Sequence, residues 1–84
     1  MHETIPQELL ARLHTTILGE ERIRKNLALS AEEDVVQWCR EAIESQDAVS
    51  WRQGKNWYID TQGSRLTINA ASATIITAHK LKLQ

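Results

Sequence analysis

Three residues stand out as able to do chemistry: His14, His79 and Lys55. An imidazole exchanges protons near neutral pH, and an ammonium steadies a phosphate that is gaining charge. His79 and Lys80 close the run Thr74-Ile75-Ile76-Thr77-Ala78-His79-Lys80, Lys55 lies in the turn Gly54-Lys55-Asn56, and His14 precedes Thr15 and Thr16. Cleaving RNA without a metal takes a base for the 2′-hydroxyl, an acid for the 5′-oxygen and a cation for the phosphate. His79 or His14 would serve as base or acid, Lys55, Lys80 or Arg22 as the cation, and Thr77 or Asn69 as a phosphate or base contact. The plainer reading puts His79 at a strand end, His14 half-buried on a helix and Lys55 in solvent.

Other chemistries find little support. There is no glycine-rich phosphate loop, no pair of catalytic carboxylates and no Ser-His-Asp signature. His2, His14, His79 and Cys39 lack the tight spacing of zinc ligands, so neither a metal nor a cofactor is expected. Cys39 falls on an apolar helix face with no cation placed to activate it, and reads as a core thiol.

The elements that must position these groups fall into two halves. Leu9, Leu10, Leu13 and Ile17 repeat at helical spacing behind Pro6, and Gly19 follows as a stop, so a helix is expected over 6–18. Ile23 and Leu27 predict a second helix over 20–27. Ser30-Ala31-Glu32-Glu33 has the form of a capping box, and Val35, Val36, Cys39, Ala42 and Ile43 continue it as a helix over 31–45. After Asp47 the period changes to two. Strands are expected near 48–53, 56–61, 65–69 and 73–79, with turns at Gly54-Lys55-Asn56, Thr61-Gln62-Gly63-Ser64 and Asn69-Ala70-Ala71-Ser72.

Connections this short force antiparallel pairing. The expected fold is one α+β domain spanning 1–84, with about three N-terminal helices packed on one face of a C-terminal four-stranded antiparallel meander. In the last strand Ile75, Thr77 and His79 should share one face and Thr74, Ile76, Ala78 and Lys80 the other. An isoleucine on each face predicts a central position. The core should hold Leu9, Leu13, Ile17, Ile23, Leu27, Val36, Cys39, Ile43, Trp57, Ile68 and Ile75, with Trp51 a second aromatic anchor.

The chain has 84 residues, 42% hydrophobic and 25% charged, which is ordinary for one globular domain. No apolar run is long enough to span a membrane. Met1-His2-Glu3-Thr4 has neither the basic nor the apolar region of a signal peptide. A single cysteine cannot form an internal disulfide, so the expected location is cytoplasmic. The net charge of −1 hides an asymmetry. Residues 1–45 carry five Arg/Lys against nine Asp/Glu, net −4, and residues 46–84 carry five against two, net +3. A polyanion suits the second half and a basic or neutral partner the first.

Leu13-His14-Thr15-Thr16-Ile17-Leu18-Gly19, Glu21 to Leu27, Asp34-Val35-Val36, Trp38-Cys39, Gly54-Lys55-Asn56-Trp57-Tyr58, Thr67-Ile68-Asn69-Ala70 and the Thr74–Lys80 run together resemble an uncharacterised family. It consists of short bacterial proteins grouped as a domain of unknown function. The resemblance runs from about Leu9 to Lys80 and implies no activity. The order of helices before a sheet is also similar, more distantly, to toxin ribonucleases of the barnase–EndoU–colicin–RelE type. That similarity implies a metal-independent ribonuclease-like toxin, or an inactive relative, acting on RNA. The alternative is a non-enzymatic module that binds a cognate protein, antitoxin-like, through its acidic helices or an edge strand. A winged-helix DNA binder comes third, because the helix that would enter the groove has five acids and only Arg40.

Overall fold

The computed structural model of the protein describes residues 3–81; the readings placed on Met1, His2 and Lys82 lie outside them. Three helices, α1 (Gln7–Ala11), α2 (Ile17–Asn26) and α3 (Val35–Ile43), precede four strands, β1 (Val49–Gln53), β2 (Asn56–Thr61), β3 (Ser64–Asn69) and β4 (Ile75–Lys80). The strands form an antiparallel meander in the order β1-β2-β3-β4, and α2 and α3 pack on the same side of it, so the expected α+β class holds. No helix among the described residues is long and apolar enough to cross a membrane.

The first helix ends at Ala11, well short of 18. Its continuation is taken by a different backbone pairing. His14 lies alongside Thr74, donating its N–H to Ala73 O at 3.2 Å and accepting from Ile75 N at 2.8 Å. Thr16 then caps α2 by accepting from Gly19 N at 2.9 Å. Ile17, expected in the core, opens this helix at 83% exposure. Gly19 is therefore not a stop but a first-turn residue of α2, and it is small for a reason. A Cβ there would come 2.5 Å from Thr15 Oγ1, which is itself bonded to Ile75 O at 2.8 Å. In an exposed helix Gly→Ala would usually stabilise by about 1 kcal/mol. Here Gly19→Ala is expected to lower the thermal midpoint, because the methyl group dislodges the Thr15 tie. A raised midpoint in a calorimetric scan would show that the loop yields without cost.

The far end of α2 closes in a Schellman arrangement. Ala28 adopts φ +56°, and Leu29 N reaches Arg24 O at 2.9 Å. Half of the expected capping box is present, with Glu33 accepting from Ser30 N at 2.7 Å, but it closes a turn. Asp34 is the cap of α3, accepting from Gln37 N at 3.0 Å, so the helix begins four residues later than expected. On this helix Val35 is buried in the core and Val36 is half-buried.

The first two of the three hairpins are two-residue turns, with Gly54 at φ +62° and Gln62-Gly63 at +54° and +71°. Such turns fix register, so side chains alternate between the two sides along β1, β2 and β3, although Thr67, on the side away from the helices, is only 8% exposed. Ser50, Trp57, Ile59, Thr61, Leu66 and Ile68 face the helices and are buried. Trp51 does not join them; its register puts it on the other side. β4 also departs from expectation. It is the last strand of the sheet, not a central one, and a bulge between Thr67/Ile68 and their partners leaves Ile76 extra. The additional residue brings Ile75 and Ala78 onto the buried side together, and Ile76 stands 47% exposed.

The outer flanks of the sheet are occupied. Along β4, Ile75 O accepts from Thr15 Oγ1 and Ala78 O from Asn26 Nδ2 at 3.1 Å. Along β1, Glu3 N donates to Ser50 O at 2.7 Å and the Glu3 carboxylate accepts from Arg52 N at 3.0 Å.

Candidate functional site

With helices on one side, the other side of the sheet is open, and register sorts its side chains into three cross-strand rows. The first, beside the Gly54 and Asn69 turns, holds Gln53, Asn56 and Asn69. The middle row is Trp51, Tyr58, Thr67 and Thr77, and the third is Val49, Asp60, Arg65 and His79. Carboxamides, aromatic rings beside hydroxyls, and an ionic row thus lie on one surface.

Trp51 and Tyr58 stack at 5.8 Å between centroids with planes 23° apart. Arg65 reaches diagonally over the Trp51 ring, its Cζ 5.3 Å from the centroid. The guanidinium is held there by a two-pronged bond to Asp60, Nε to Oδ1 at 2.7 Å and Nη2 to Oδ2 at 2.9 Å. Asp60 raises the Arg65 pKa above its ordinary value, chiefly through that hydrogen bond. The pair remains partly exposed, 39% for Arg65 and 29% for Asp60. Paired opposite charges of this kind neutralise the centre of the third row, and exposed Lys55, Arg52 and Lys80 supply positive charge around the sheet.

His14 sits at one corner. Thr74 precedes inward-facing Ile75, so Thr74 and the His14 ring bonded to it lie on the open side. Nδ1 is 3.0 Å from Arg12 O, which only accepts, so Nδ1 carries the proton. Nε2 lies 3.1 Å from the Thr74 hydroxyl. Thr74 continues to Ser72 Oγ at 2.8 Å, and Ser72 to Asn69 Oδ1 at 3.1 Å. Asn69 Oδ1 also takes the amides of Ala71 and Ser72. With the Ala73, Ile75 and His14 amides bonded to backbone, this corner offers no pair of N–H groups to a developing oxyanion. Its hydrogen bonds fasten the loop between α1 and α2 onto β4.

His79 stands at the opposite corner, paired with Arg65. Five residues of strand separate Thr74 from it, on the order of 15 Å at the usual rise. An acid and a base for one phosphate must both lie within hydrogen-bond reach of its oxygens, so the two histidines do not serve the same bond. Asn69 and Lys55 stay at the His14 end, where Ala70 N donates to Lys55 O at 2.8 Å. Thr77 lies between the histidines on the open side. Lys80 pairs with Ser64, whose side chain is buried on the helix side, and so leaves opposite to His79. Arg22 is exposed on α2, in the helical layer. A concavity of about 410 Å³ between the N-terminal segment, α1 and the end of α3 is lined by none of these residues.

Trp51, Tyr58, Asp60 and Arg65 escaped the sequence reading as site residues. Their signal was the two-residue Gln62-Gly63 turn, which sets Asp60 opposite Arg65, together with alternation, which sets Trp51 opposite Tyr58 and away from Trp57.

A family model described as "Protein of unknown function (DUF3781)" matches residues 8–79. No curated protein and no solved structure matches the chain.

Proposed function

The chain belongs to the DUF3781 family, proteins of unknown function, and from its own geometry we propose that it binds single-stranded RNA across the open side of its sheet. The observation that carries this reading is the Trp51–Tyr58 stack with Arg65 laid against it. Unpaired bases stack on aromatic rings and on guanidinium planes, and their edges bond to amides and hydroxyls such as those of Asn56 and Thr77. Lys55, exposed in the turn at the edge of that side, then meets the backbone phosphates. Should the bound strand be cleaved, His79 is the proton-transfer group and Arg65 the cation beside it. Binding is the function proposed, because among the described residues no second imidazole lies within reach of the same phosphate at that corner.

One observation favours a protein partner on the same surface. The Asp60 carboxylate neutralises Arg65, and Trp, Tyr and Arg are the side chains that dominate protein interfaces. Fluorescence anisotropy with a labelled single-stranded RNA separates the two. Wild type should bind, and affinity should fall steeply between about 50 and 200 mM salt. Trp51→Ala should weaken binding by roughly five- to a hundredfold, the equivalent of about 1–3 kcal/mol of stacking. Absence of binding at low salt, or an unchanged affinity in Trp51→Ala, would leave the protein-partner reading. Incubating wild type and His79→Ala with total RNA shows whether cleavage accompanies binding.

A further inference from the structure

We infer that the groove around Trp38, on the helical layer, is a docking site for an arginine-bearing segment of a protein partner. Trp38 is half-buried on α3, where it packs against the core and also lines two concavities of about 240 and 140 Å³. The ionisable residues lining them are Glu33, Asp34 and Glu41; none is basic. An indole attracts a cation placed over its face, and nearby carboxylates strengthen the attraction.

Among the described residues no cation lies over the Trp38 ring, and Arg24, at the rim, donates instead to the Glu33 carbonyl, Nη1 to O at 2.8 Å. Among the described residues the cation–aromatic contact is that of Arg65 with Trp51. Arg40, two residues along α3, is turned elsewhere, with Nε donating to Leu10 O at 3.2 Å and Nη1 to Gln37 Oε1 at 2.8 Å. Gln37 Nε2 in turn binds Glu41 at 3.0 Å and holds that carboxylate at the rim. The charge of the whole N-terminal half points the same way, net −4 over residues 1–45. Arginine fits better than lysine, because a planar guanidinium stacks on an indole and also forks onto a carboxylate. The groove belongs to the layer behind the sheet, so it can be filled while the open side is occupied.

Isothermal titration with a peptide of alternating arginine and glycine tests this, beside its lysine and glutamate counterparts. Wild type should bind the arginine peptide, the lysine peptide less well and the glutamate peptide not at all. Trp38→Leu keeps the apolar bulk but removes the ring, and should weaken binding by about two- to thirtyfold. Glu41→Gln should also weaken it, and Trp51→Ala should not. Circular dichroism checks that each variant is folded. If Trp38→Leu fails that check, Glu41→Gln and the arginine–lysine difference decide. No binding by wild type at low salt, equal binding of both basic peptides, or an undiminished affinity in a folded Trp38→Leu would overturn the assignment.

Discussion

Ile75→Ala is expected to remove about 2–5 kcal/mol of stability, the range for emptying a packed aliphatic site. Ile75 is 1% exposed, sits in the cluster with Ile23, Leu66 and Ile68, and is the residue to which both His14 and Thr15 tie the preceding loop. In a small domain that loss is a large part of the total. Its neighbour provides the contrast. Ile76 is the bulge residue and largely outside, so Ile76→Ala should change stability by less than about 0.5 kcal/mol. Urea denaturation of the two variants measures both. Equal losses would mean that the bulge does not shift the strand's facing as described.

The second large effect is alkaline. Burial among apolar side chains pushes the Cys39 thiol from 9.0 up to about 12. In the unfolded chain the thiol ionises near the lower value, and in the fold it stays protonated. Between about pH 9 and 12 the unfolded state has therefore lost a proton that the native state retains, and stability must fall as pH rises. The stabilisation is complete below the unfolded value and gone above the folded one. Three pKa units correspond to at most about 4 kcal/mol. The measurement is a difference, wild type against Cys39→Ala in urea from pH 8 upward. Wild type should lose stability faster than the variant. Parallel curves would place the thiol in contact with water.

Most of the second half was legible because two-residue turns and period-two alternation are local. Gly54-Lys55 and Gln62-Gly63 set register, and register decides which side each residue takes. The first half was less so, because its decisive interaction is distant in sequence. Leu9, Leu10 and Leu13 do continue the helical spacing to Ile17, and nothing nearby reveals that the His14 backbone will pair with Ala73 and Ile75. The same pairing leaves Ile17 outside. Of the candidate site, the two histidines were visible as residue types, but their separation depends on β4 lying between them. Trp51 was read by its size as a core residue. Its neighbours in register, Tyr58 and the Asp60–Arg65 pair, are what make it a surface feature.

The occupied flanks of the sheet bear on what this small protein does at high concentration. A bare outer strand is a template on which another chain can seed growth, and short β-rich domains are prone to it. Thr15 and Asn26 on one flank, and Glu3 on the other, take up hydrogen-bonding groups that an incoming strand would need. Partners are thereby directed to the broad surfaces, and ordered fibril formation should begin only after the segments carrying Glu3 or Thr15 have peeled away.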